Sequence, residues 1–143
     1  MKNLINIFAL CILLGCTNQE AQKENKQISI QIEQQLKQIN FTTLDLAKVS
    51  SKDWSRVCYI PPYALNKYAK KRLGFDWSIE ENTDISTNDG ISLLVFVKND
   101  EVVEFVQHPR NKGDFGFTCL SRQSAKFAIS KTGEWITFVQ TNS

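Results

Sequence analysis

The stretch Ile91-Ser92-Leu93-Leu94-Val95-Phe96-Val97, then Lys98-Asn99-Asp100, then Glu101-Val102-Val103-Glu104-Phe105-Val106-Gln107 decides the fold. Both arms are rich in β-branched and aromatic residues, and a polar centre separates them, so the segment predicts an antiparallel hairpin. A second hairpin is predicted near the C-terminus, where residues 125–130 and 134–140 flank Lys131-Thr132-Gly133. Residues 54–60 read as a strand, with Trp54, Arg56, Cys58 and Ile60 on one side and Ser55, Val57 and Tyr59 on the other. Pro61-Pro62 ends that strand, because proline has no N–H to give to a ladder. Residues 117–120 suit a short strand, and residues 41–46 fit either an extended piece or a connector.

Two helices are predicted ahead of the first hairpin. Ile28, Ile32, Leu36 and Ile39 recur at near-helical spacing, with Gln31, Glu33, Gln34, Gln35 and Lys37 on the other face. Proline suits a first helical turn, so residues 63–73 read as a second helix with Ala64, Leu65, Tyr68, Ala69 and Leu73 inward and Gly74 as its stop. Residues 80–90 are acidic and rich in turn formers and read as an exposed loop, and residues 109–116 read as a mostly polar loop. The expected fold is α+β: a single small domain, two N-terminal helices packed on an antiparallel sheet of about five or six strands.

The chain has 143 residues and a formal net charge of +2, from 17 Lys and Arg against 15 Asp and Glu. A balance this close to neutral gives little electrostatic pull on nucleic acid. Lys2 precedes an apolar run from Ile7 to Leu14 that ends at Gly15, the pattern of an export signal. The run is too short for a stable transmembrane helix, which needs roughly 20 apolar residues. Leu13-Leu14-Gly15-Cys16 resembles the lipobox of bacterial lipoproteins. The resemblance implies that residues 1–15 are removed as a signal peptide, that Cys16 carries a diacylglycerol thioether, and that its new amine is acylated. Thr17, where an Asp tends to retain such proteins at the inner membrane, points to the outer membrane, facing the periplasm. Residues 16–27 then read as the lipidated cysteine and a flexible tether in which Ala21 is the only apolar residue past the anchor. Residues 28–143 form the expected globular domain.

The compartment organises the four cysteines. Cys11 leaves with the signal and Cys16 carries lipid, so Cys58 and Cys119 remain. An oxidising compartment favours a disulfide between them, the alternative being two separate buried thiols. No second cysteine lies near either, and His108 is the sole histidine, so neither a metal site nor a cofactor is expected.

Candidate contact residues are few. Lys67, Lys70 and Lys71 lie on the outer face of the second predicted helix, with Arg72 beside them, either as a solvated face or as a docking surface. His108 and Arg110 occur in Val106-Gln107-His108-Pro109-Arg110, and His108 is expected on the surface at a hairpin end. Asp114 and Ser121 are the candidates to join it in a catalytic group, but no spacing requires it. Asp76, Glu80, Glu81, Asp84 and Asp89 form an acidic stretch that does not fit a calcium-loop template. Trp54, Tyr59, Tyr63 and Trp77 fit a core, or an interface.

The body also resembles small lipoproteins of Gram-negative bacteria in Val57-Cys58 with Pro62-Tyr63, Leu73-Gly74-Phe75-Asp76-Trp77, Asp89-Gly90 and His108-Pro109-Arg110. It shares size, anchor and an expected disulfide-bearing sheet with the lipoprotein inhibitors of lysozyme, but lacks their Ser-Gly motif. The expected function is a membrane-anchored, non-enzymatic module that binds a periplasmic protein, of inhibitor, immunity or envelope-assembly type. The alternative is an envelope hydrolase or cell-wall-binding protein that uses the His108 region.

Overall fold

The computed structural model describes residues 24–38 and 42–141. The expected signal peptide, Cys16 and the first part of the tether lie outside the described residues, as do Ile39 and Phe41. The elements are α1 (Gln27–Leu36), β1 (Thr43–Asp45), β2 (Arg56–Ile60), α2 (Asn66–Leu73), α3 (Ile79–Asn82), β3 (Ile91–Lys98), β4 (Glu101–Pro109), β5 (Cys119–Ser121), β6 (Lys126–Thr132) and β7 (Trp135–Gln140). The class is α+β, but the strands form two antiparallel sheets: four in the order β4-β3-β2-β5 and three in the order β1-β6-β7.

The hairpin that decides the fold closes through a two-residue turn. Lys98 pairs with Glu101, and Asn99 and Asp100 between them have φ of 51° and 57°. Two successive positive φ values define a type I′ turn, which matches the twist of the strands it joins and which Asn and Asp tolerate. A bulge follows, because Phe96 pairs with Glu104 but Val97 with Val102, leaving Val103 as the extra residue. It puts Val102 and Phe105 on one side of the sheet even though three positions separate them.

Strand β3 is buried from Ser92 to Val97. Leu94 and Phe96 face a core shared with Ile28 and Ile32 of α1, Val57, Val106, Phe115, Phe127 and Phe138. Leu93, Val95 and Val97 face a second core with Cys58, Ile60, Ala69, Leu73, Ile79 and Ile85. The molecule is therefore three layers: α1 with the three-stranded sheet, the four-stranded sheet, and α2 with α3. This corrects the expectation of two N-terminal helices packed on a single antiparallel sheet of about five or six strands. A strand covered on both faces loses its alternation and reads as a continuous apolar run, as Leu93–Val97 does.

Three local expectations also change. Helix α2 starts at Asn66, not Tyr63, because Tyr63 has φ 61° and Leu65 is extended. Part of the acidic stretch folds as α3, and Ile85 within it is fully buried. Glu24 forms an isolated parallel bridge with Phe105, and the Asn25 N–H donates to the Phe105 carbonyl at 2.8 Å, so the end of the expected tether is docked on β4.

Cys58 and Cys119 are bonded, directly opposite one another on β2 and β5, 61 residues apart in sequence. Closing a loop of that length stabilises the fold by about 4 kcal/mol in the chain-entropy account. The paired variant Cys58→Ala with Cys119→Ala should lose roughly that amount, measured by urea unfolding. A loss below about 1 kcal/mol would show that the bond constrains little in the unfolded chain.

Candidate functional site

His108 is fully buried, which corrects its expected surface position. Strand β4 runs on to Pro109, and pleat parity turns Glu104, Val106 and His108 toward α1. The His108 Nδ1 is 3.0 Å from Ser29 Oγ of α1, and the ring meets Phe115 edge-on at 5.6 Å. Among the described residues Nε2 has no hydrogen-bond partner, and neither does Ser92 Oγ, which belongs to the residue directly across the ladder. Burial holds the imidazole pKa down at about 4; the nearby Gly113 backbone, outside hydrogen-bond geometry, and the charges of Glu33 and Asp114 oppose it only in part. Asp114 is close by, whereas Ser121 lies on β5 and bonds Ser124 at 3.0 Å. A general base must reach substrate, and this ring is enclosed.

Arg110 follows β4 and is tied down locally. Its Nε is 3.1 Å from both carboxylate oxygens of Asp114 and its Nη2 is 2.6 Å from Oδ2. Nη1 donates to the Asp89 carbonyl at 2.9 Å, and the guanidinium lies 5.9 Å from the centre of the Trp135 ring. Asp114 raises the guanidinium pKa still further. A fork bonded on this many sides organises the 109–116 loop, and the half-exposed Trp135 remains the accessible part of that corner.

The other expected contact residues form a different surface. Lys67, Lys70 and Lys71 are exposed on α2. Lys70 pairs with Asp76 at 2.9 Å, with both side chains mostly in water, so the pair adds little stability. Lys67 and Lys71 make no ion pair among the described residues. Beside them Tyr63, Leu65 and Tyr68 are 61%, 53% and 36% exposed. Leu65 and Tyr68 were expected inward; the late start of α2 leaves Ala69 and Leu73 as its buried residues. Tyr63 combines an exposed aromatic ring with a left-handed backbone, held by its N–H bond to the Ile85 carbonyl at 2.8 Å. That conformation is unfavourable for any residue with a Cβ.

This surface is fixed from below. Glu80 of α3 accepts the Asn66 N–H at 2.8 Å, and the Glu80 N–H returns a bond to Asn66 Oδ1 at 3.1 Å, capping α2. Arg56 of β2 donates to the Leu73 carbonyl at 2.7 Å, closing the other end. Arg72 donates to the Phe117 carbonyl at 2.9 Å and to the Tyr68 hydroxyl, and its guanidinium lies 5.2 Å from the Tyr68 ring centre. Between α2 and the disulfide-linked strands lies an open cleft of about 540 Å³, lined by Arg56, Tyr68, Lys71, Arg72, Thr118 and Cys119. The side of β2 that carries Arg56 was legible in the sequence; that it meets α2 at a cleft was not.

Among the described residues no group of three or more His, Cys, Asp or Glu side chains is placed to hold a metal ion. Nor is any described helix long and apolar enough to cross a membrane. No protein-family model matches the chain, and no curated protein or solved structure gives a match.

The buried imidazole has a pH signature. Its folded pKa lies below the unfolded value of 6.5, so the unfolded chain binds the extra proton between those limits. Its contribution is therefore complete above pH 6.5 and is lost as the pH falls to about 4, a total of roughly 3 kcal/mol. Urea unfolding across this window should show that decline in wild type and a shallower one in His108→Gln. Equal slopes in the two proteins would show that the imidazole is not the group responsible.

Proposed function

We propose that the protein is a membrane-anchored periplasmic lipoprotein that acts as a non-enzymatic binding module, and that the α2 surface is where it meets a protein partner. The observation that carries this reading is the exposure of Tyr63, Leu65 and Tyr68 next to Lys67 and Lys71, with the Tyr63 backbone bonded to the Ile85 carbonyl and the Tyr68 hydroxyl bonded to Arg72. Tyrosine brings a large amphipathic ring with few rotatable bonds, and a ring already bonded, as Tyr68 is to Arg72, loses less entropy on contact. The basic residues around them favour an acidic partner. The anchor comes from Leu13-Leu14-Gly15-Cys16, and Thr17 supports the outer membrane, facing the periplasm. Partners of inhibitor, immunity or envelope-assembly type all fit a module of this size.

Tyr63→Gly is the informative variant, because glycine accepts φ 61° while the whole side chain is removed. Stability should stay within about 1 kcal/mol of wild type. Capture of a periplasmic protein by mild crosslinking in intact cells should nevertheless fall strongly. Undiminished capture by Tyr63→Gly together with Leu65→Ala would remove the α2 surface from the reading, and no reproducible partner for wild type would remove the module itself. Cys16→Ala should abolish both cleavage before residue 16 and the acyl mass. An unchanged mature mass would overturn the anchor.

A further inference from the structure

The cleft beside α2 places three cationic side chains, Arg56, Lys71 and Arg72, around one opening with Tyr68 and Thr118, and among the described residues no acidic side chain lines it. We propose that this cleft receives the carboxylates of an acidic peptide segment on the protein partner, an inference that rests on the binding-module reading.

The chemistry of the lining favours this occupant. A guanidinium is a planar fork that matches the two oxygens of a carboxylate, and it keeps its charge at every accessible pH. Arg56 and Arg72 are each held to a backbone carbonyl, at 2.7 Å from Leu73 and 2.9 Å from Phe117, so both are largely ordered before a ligand arrives. Lys71 is exposed and adds a mobile third charge at the rim. The acidic competitor in contact with the lining is weak: Asp100 is 3.4 Å from Arg56 and 81% exposed. The floor is fixed, because the Cys58–Cys119 bond joins the strand that carries Arg56 to the strand that follows Thr118.

Size and surroundings separate a peptide from a lone anion. A cleft of about 540 Å³ falls in the range that holds a multi-group ligand, roughly 300–1,000 Å³. Tyr68 lines the cleft and also belongs to the exposed trio with Tyr63 and Leu65. A segment that mixes acidic and apolar side chains would thus meet both kinds of surface at once, carboxylates in the cleft and apolar groups on the trio.

The test uses full-length lipoprotein in neutral detergent and a fluorescein-labelled peptide of alternating glutamate and leucine, followed by anisotropy. Saturable binding is expected. Lys71→Glu should weaken it by about tenfold or more, since like charges then face each other. Arg72→Lys should also weaken it, because the charge stays and the fork is lost. Lys131→Glu, an exposed reversal on the β6–β7 hairpin, should change it by less than about twofold. Lys131→Glu acting as strongly as Lys71→Glu would overturn the cleft in favour of diffuse charge. Displacement by an equal concentration of inorganic phosphate would assign a small-anion site instead. Preferential binding to anionic phospholipid vesicles, with the same order among variants, would assign the surface to the membrane. The same variants in the crosslinking assay separate the two claims. A partner captured by Lys71→Glu and Arg72→Lys but lost in Tyr63→Gly keeps the module and overturns the cleft. A cleft that binds peptide in a protein that captures no partner overturns the module alone.

Discussion

Strand β3 has no side that faces water, and six consecutive buried residues along it require cover on both faces of the sheet. One cover is α1 with the three-stranded sheet, and the other is α2 with α3. The arrangement sends the two longer helices to opposite sides, so each side of the molecule acquires its own character. The α2 side is held by caps, a disulfide and arginine bonds to backbone carbonyls, and it presents tyrosines and lysines to solvent. The α1 side buries its polar chemistry instead.

That buried chemistry joins residues far apart in the chain, and among the described residues it is paired except at His108 Nε2 and Ser92 Oγ. The Glu104 carboxylate is almost fully enclosed, and it accepts from the Ser50 hydroxyl and from Asn25 Nδ2 at 2.8 Å. Ser29 meets His108 two pleats along the same face. A buried polar group without a partner costs about 1–3 kcal/mol, so these pairs fix how α1 and the segments before and after it sit over β4 in a way that apolar contact would not. Gln107 adds to the register, since its N–H donates to Glu24 Oε1 at 3.1 Å. The outer edge of the central sheet is thereby occupied by the chain's own N-terminal segment.

Local chemistry was the legible part of the sequence. Lys98-Asn99-Asp100 announces a turn because the residues themselves tolerate the required backbone, and the apolar arms supply the strands. The oxidising compartment implied by the lipobox resemblance is what singled out Cys58 and Cys119. The division into two sheets was not legible, because β1 pairs with β6 across about eighty residues and no local signal encodes that choice. His108 was misplaced by ending the strand at Gln107; continuing the alternation from Glu104 and Val106 would have turned it inward. Leu65 and Tyr68 were misplaced by starting a helix at the proline pair. The left-handed Tyr63 is sustained by the Ile85 carbonyl, a tertiary contact that a local reading does not contain.

The pairing of Glu24, Asn25 and Ser29 with β4 has a consequence for the order of assembly. A chain made from its N-terminus delivers α1 before the first hairpin, yet Asn25 and Ser29 lie 79 residues ahead of Glu104 and His108. Ile28 and Ile32 therefore emerge into water with nothing to cover them until the first hairpin is complete. The hairpin, closed by its own two-residue turn, can form on arrival, while the N-terminal segment must return to it as a late step. A lipid anchor at Cys16 would restrict the volume that this segment explores during the wait and so shorten the search for its edge.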